Sequence, residues 1–136
     1  MRSIVVAAKA GSDQPWLADA AAELAQQTGA DVSVVSVDGL DVEALSPTPR
    51  TEFHEAAEQA VNGFVERLRE AGIEAEGEVR PGQVTRGILL FAEERDADVI
   101  VCGASSRGRV ASRVLGSVPV ELIKRARRPV LVISPS

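Results

Sequence analysis

The sequence predicts an α/β fold: a single doubly wound domain on one five-stranded parallel sheet, with helices on both faces. Three observations predict it. Five short apolar runs alternate with longer stretches of helical periodicity, and that alternation implies parallel strands joined by right-handed crossovers. Four of the runs are near-continuously apolar or small, as in strands covered on both faces. The chain has 136 residues, 45% hydrophobic and 26% charged. That is enough for one aliphatic core without metals or disulfides, so one domain over residues 1–136 is expected.

The first strand is Ile4–Ala8. Ser12-Asp13 opens the first helix, with Pro15 near its first position, where proline is favoured. Trp16, Leu17, Ala21 and Leu24 give that helix an apolar face, and Gly29 stops it. The second strand is Val32–Val37. Residues 39–50, with Pro47 and Pro49, read as a loop. The second helix starts near Thr51, carries Phe53, Ala57, Val61, Phe64 and Leu68 at spacings of three and four, and ends at Gly72. The third run, Ile73–Val79, alternates apolar residues with glutamates, which implies one wet face and a place at the sheet edge. A third helix follows Pro81-Gly82 with Val84, Ile88, Phe91 and Ala92 inward. The fourth strand is Val99–Cys102. The fourth helix starts at Gly116-Ser117, because Pro119 is tolerated only in a first turn, and ends before Pro129. Lys124, Arg125, Arg127 and Arg128 suit the negative end of its dipole. Val130–Ile133 is the last strand.

Composition narrows the function. Fifteen basic against twenty acidic side chains leave a net charge of -5, which argues against a general nucleic-acid partner. Trp16 and three phenylalanines are the whole aromatic set, too few for base-stacking platforms. No apolar run approaches the roughly 18 residues of a membrane span, and no signal peptide is visible. A lone Cys102 fits a reducing cytoplasm. One histidine and one cysteine make no familiar metal site.

In doubly wound sheets, ligands bind beyond the carboxyl ends of strands, where the strand order reverses. The loop after the fourth strand reads Gly103-Ala104-Ser105-Ser106-Arg107-Gly108-Arg109 and meets Gly116-Ser117 at a helix start. Small residues admit an oxyanion, helix-start N–H groups point at it, and Arg107, Arg109 and Arg113 add positive charge. The same residues also suit a plain loop in which Ser117 caps its helix. The spacing is neither a Walker A motif nor a nucleophile elbow.

The segment "VIVCGASSRGRVASRVLGSVPVELIKRARRPVLVI" resembles the C-terminal signature of universal stress protein domains. "IVVAA", "DVSVVSVD" and "VRPGQVTRGILLFAEERDADVIVCG" extend the resemblance over essentially the whole chain. ATP-binding members of that family carry Gly-x2-Gly-x9-Gly-[Ser/Thr] after the fourth strand. Gly103, Gly116 and Ser117 match it, and Ser106 stands at the second glycine. The resemblance implies the strand order 3-2-1-4-5 and a homodimer formed through Val130–Ile133. It implies that an adenine nucleotide, ATP with magnesium, is bound: Ala7, Val37 and Cys102 against the base, and Gly103, Ser106, Arg107, Gly116, Ser117 and Val118 near the phosphates. Lys9 replaces the aspartate usual in the family's ATP binders and has no acceptor to offer a ribose or an adenine amine.

The function expected is therefore a stress-response regulatory module that binds ATP and is not an enzyme, since no catalytic base or paired carboxylates are visible. The alternative is a dimeric interaction module of the same fold that binds no nucleotide, because of Lys9 and Ser106. A phosphoacceptor receiver would need acids where Ala8-Lys9 and Arg80-Pro81 stand. His54 reads as a surface residue and Cys102 as a small core residue, with a reactive thiol the minority reading. Glu93–Asp96 reads as a solvated helix end.

Overall fold

The computed structural model describes residues 1–39, 50–104 and 116–135. The strands are β1 (Ser3–Ala7), β2 (Asp31–Val37), β3 (Ala75–Arg80), β4 (Val99–Gly103) and β5 (Val130–Ile133). The helices are α1 (Pro15–Thr28), α2 (Arg50–Glu70), α3 (Val84–Glu94) and α4 (Ser117–Arg125). All strand pairs are parallel and the order is β3-β2-β1-β4-β5. The α/β fold, this order and the edge position of β3 are as the sequence led us to expect. The loop reading for residues 40–49 lies outside the described residues.

The sheet separates two aliphatic cores. Ile4, Val6, Val32, Val34 and Val101 face α1 and α2, with Leu17 and Leu68 packed on them. Val5, Val35 and Ile100 face α3 and α4, with Phe91 and Leu122 above. Successive strand residues alternate between these cores, which is why β1, β2 and β4 have no polar face. Both faces are covered there, but β5 is only half-buried along its length. An edge strand has a neighbour on one side only, so the near-continuous apolar pattern overstated its burial.

Several element ends differ from the sequence reading. Ser12-Asp13 does not cap α1. The cap is Gln14, without a side-chain cap bond, and Pro15 is the first helical residue. The third strand begins at Ala75, because Ile73 belongs to the end of α2. Gly72 is left-handed (φ 81°), its N–H reaches the Arg69 carbonyl, and the Ile73 N–H reaches that of Leu68. This is a Schellman stop, and Ile73 and Leu68 share the same core. Arg127 and Arg128 lie beyond α4, which ends at Arg125. Arg128 instead donates to the carbonyls of Ala92 and Ala97, at 3.0 and 2.9 Å, and so satisfies acceptors at the end of α3.

The glutamates of β3 are not simply solvated. Arg80 bonds both Glu78 and Glu94, and Arg95 bonds Glu76. The guanidinium carbons of Arg80 and Arg95 lie 5.0 and 4.7 Å from the Phe91 ring centre. Glu94 and Arg95, read as a solvated helix end, are thus parts of a charged lattice over the edge of the core. The Arg80 guanidinium holds the Glu94 carboxyl below its ordinary range.

Asp98 fastens the start of β1. Its carboxylate accepts from the backbone N–H groups of Arg2 (2.6 Å) and Ser3 (2.9 Å). Those bonds lower its pKa. A depressed carboxylate adds stability above its unfolded pKa and loses it as pH falls through the folded value. Asp98→Asn is therefore expected to lower the urea midpoint at pH 7. The gap from the wild type should shrink as pH drops below the ordinary aspartate value of 3.8. A gap that stays constant down to about pH 2 would contradict this origin.

Candidate functional site

The direction of chain progression reverses between β1 and β4, which are hydrogen-bonded neighbours. The crevice expected of this fold class lies above their carboxyl ends. Ala7 ends β1, Val37 ends β2 and Cys102 is the penultimate residue of β4. All three are buried in the core beneath α3 and α4, and Val118, in the first turn of α4, packs against it. Positions distant in sequence thus converge on one face of the sheet. Gly87 lets α3 sit close against the end of β2, because a Cβ there would lie 2.7 Å from a methyl of Val37.

Gly116 precedes α4 with φ 95°, a conformation that favours glycine. Ser117 is the first helical residue and does not cap the helix; the cap position belongs to Gly116, with no side-chain bond. The N–H groups of Ser117 and Val118 have no partner within the helix, and Pro119 has none to offer. Ser117 is exposed. This start of α4 can receive an anion. Ser106 and Arg107, with Arg109 and Arg113, lie outside the described residues.

Lys9 is exposed just past β1. Its backbone N–H donates to Gln14 Oε1 at 3.0 Å, and its carbonyl accepts from Ser12 N–H at 3.2 Å, so the turn leading into α1 is tied to its own helix. Gly103 does not share a face with Ala7 and Cys102. A Cβ on Gly103 would sit 2.5 Å from Trp16 Cη2 and 3.0 Å from Gln14 Nε2. The first motif glycine therefore has a packing cause: it admits the indole of α1.

Cys102 is not a reactive thiol. Burial pushes its pKa up to about 11, so it is protonated at neutral pH and serves as core. His54 is exposed and bonds Glu58 one turn on, at 2.8 Å. Among the described residues, no group of three or more His, Cys, Asp or Glu could hold a metal. No helix among them is long and apolar enough to cross a membrane.

The sequence reading missed Asp38, Gln14 and Trp16. Asp38 follows β2 at the same carboxyl end of the sheet, is buried, and accepts from Gly82 N–H at 3.2 Å. A carboxylate directly after an apolar strand was a usable signal. Gln14 carried none, since its importance depends on a bond to Lys9. Trp16 was read as one more residue of an apolar helix face.

The model of the universal stress protein family matches residues 1–134. The chain belongs to that family. A universal stress protein of Methanocaldococcus jannaschii is 33% identical over 79 residues, covering 58% of this chain and 46% of the relative. A Mycobacterium tuberculosis family member is 31% identical over 81 residues, covering 60% and 51%. The chain thus matches about half the length of these curated relatives. A solved universal stress protein from Archaeoglobus fulgidus superposes with a TM-score of 0.78 at 30% identity, covering 98% of both chains. A structure of the Archaeoglobus fulgidus protein in complex with dAMP gives a TM-score of 0.75 at 29% identity, again over 98% of both.

Proposed function

We propose that this chain is a regulatory module that binds an adenine nucleotide, ATP with magnesium, above the carboxyl ends of β1 and β4. The observation that carries the reading is the convergence of Ala7, Val37, Cys102 and Val118 on one face of the sheet, beside the glycine-led start of α4. The apolar positions suit a base. The free N–H groups of Ser117 and Val118 suit a phosphate, with Gly103, Ser106 and Arg107 completing the loop and Lys9 supplying a cation at the rim. The dAMP complex of the Archaeoglobus fulgidus relative supports the adenine nucleotide. Magnesium would arrive on the phosphates, as it commonly does. We further propose a homodimer through Val130–Ile133: β5 is a sheet edge with Leu131 exposed, and pairing would cover it.

Calorimetric titration of the nucleotide-stripped protein with ATP and magnesium tests the reading. Saturable binding of micromolar affinity, about -8 kcal/mol, is the expected outcome. No heat at several temperatures would overturn it, leaving the dimeric interaction module in which Lys9 and Ser106 abolish the site.

A further inference from the structure

A cleft of about 500 Å³ lies between α1 and α2, on the face of the sheet away from Val37 and Cys102. Its walls carry Asp13, Glu66 and Glu70 against one cation, Arg67. That cation is already engaged, because its guanidinium bonds both oxygens of Asp19, at 2.8 and 3.1 Å. The three wall carboxylates are exposed and make no hydrogen bond among the described residues. The cleft is therefore net negative, while Ala18, Ala60 and Phe64 give it an apolar lining.

Two residues there destabilise the fold without a packing reason. Gly63 stands inside α2, where glycine is worse than alanine for a helix. Its φ is not left-handed, and a Cβ would meet nothing within 4 Å. A side chain at Gly63 would instead project into the cleft, which this glycine lines. Ser36 is the second. It is 1% exposed, and among the described residues its hydroxyl alone is buried without a hydrogen-bond partner, a costly state. Alternation along β2 puts it on the face of Val32 and Val34, toward α1 and α2. One step beyond the Ala7–Val35 pair, its neighbour on β1 is Ala8, which lines the cleft.

We propose that this cleft binds a linear aliphatic polyamine, at a site separate from the nucleotide reading. Ammonium groups answer the three carboxylates and, beside Ala8, donate to the Ser36 hydroxyl. Methylene spacers lie on the apolar lining that Gly63 leaves uncovered. A bare metal ion fits less well: it has no use for that lining, and no group of three or more ligating side chains stands among the described residues.

Titration with spermidine in about 0.15 M salt, which screens distant charges, tests the proposal. Saturable binding with a Kd below about 1 mM is expected. Glu66→Gln with Glu70→Gln should raise that Kd at least about fivefold, as for two exposed ion pairs. Glu74→Gln with Glu93→Gln removes the same charge away from the cleft and should leave the Kd unchanged. Gly63→Leu and Ser36→Ala should each raise the urea midpoint of the ligand-free protein, by removing a helix glycine or an unpaired hydroxyl. Both should nevertheless weaken spermidine, Gly63→Leu at least about tenfold by filling the cleft. An unchanged Kd in either of these two variants overturns the proposal. Equal weakening by the two glutamine pairs also overturns it, because attraction would then be to net charge alone. A wild-type chain that shows no saturation up to about 10 mM spermidine overturns it outright.

Discussion

Phe91→Ala is expected to cost about 3–5 kcal/mol, the usual toll for deleting a buried phenylalanine. Phe91 is fully buried in the core beneath α3 and α4. Its ring is also the platform on which Arg80 and Arg95 lie. Those arginines carry the ion pairs to Glu94, Glu78 and Glu76 that cover the β3 edge. Removing the ring opens a cavity and withdraws two cation–π contacts, each worth about 0.5–1 kcal/mol or more. Domains of this size are stable by about 5–15 kcal/mol, so the variant would be marginal. Urea unfolding should show the loss, with a melting temperature lowered by on the order of 10–20 °C. Phe91→Leu, which restores much of the volume, should recover most of it. A loss under about 1 kcal/mol for Phe91→Ala would mean that the cores repack freely around α3.

The second large effect is one of sign. A glycine inside a strand is ordinarily worse than alanine by about 0.5–1 kcal/mol, so Gly103→Ala would stabilise β4 if the Cβ met open space. It meets the Trp16 ring at 2.5 Å instead. An indole is rigid and wedged between α1 and the sheet, and overpacking of this kind costs about 1–3 kcal/mol. Gly103→Ala is therefore expected to destabilise the wild type and to become neutral or stabilising in a Trp16→Leu background. Denaturant midpoints of the four proteins in that cycle measure the coupling. Trp16 is the sole tryptophan, so its emission reports the displacement directly. Additive effects would show that Gly103 is not there to admit the indole, and its place in the motif would then rest on ligand approach alone.

These two cases show what kind of information the sequence carried. Short apolar runs and helical spacing placed every described strand and helix to within a few residues, because each must bury apolar side chains and only certain patterns do so. Glutamates alternating along Ile73–Val79 were enough to put β3 at the edge. Ends were less legible. Ile73 looks like a strand residue, but it closes α2 through a bond to Leu68. Arg127 and Arg128 look like a helix end, but α4 stops before them and Arg128 reaches the carbonyls of another helix. A local pattern does not record which distant carbonyl lacks a donor.

The candidate site divides in the same way. Ala7, Val37 and Cys102 were singled out by the family resemblance alone; sheet topology sets such strand ends side by side whatever the side chains are. The sequence by itself determined the fold class, the edge strand, the left-handed stops at Gly29 and Gly72, and membership of a family recognisable from its last third. The tertiary structure alone decided that Gly103 serves Trp16 and that Glu94 and Arg95 belong to a lattice over Phe91. Each of these depends on contact between residues far apart in the chain. Periodicity reports which face a residue occupies, but its neighbour across that face is chosen only when the sheet and helices pack.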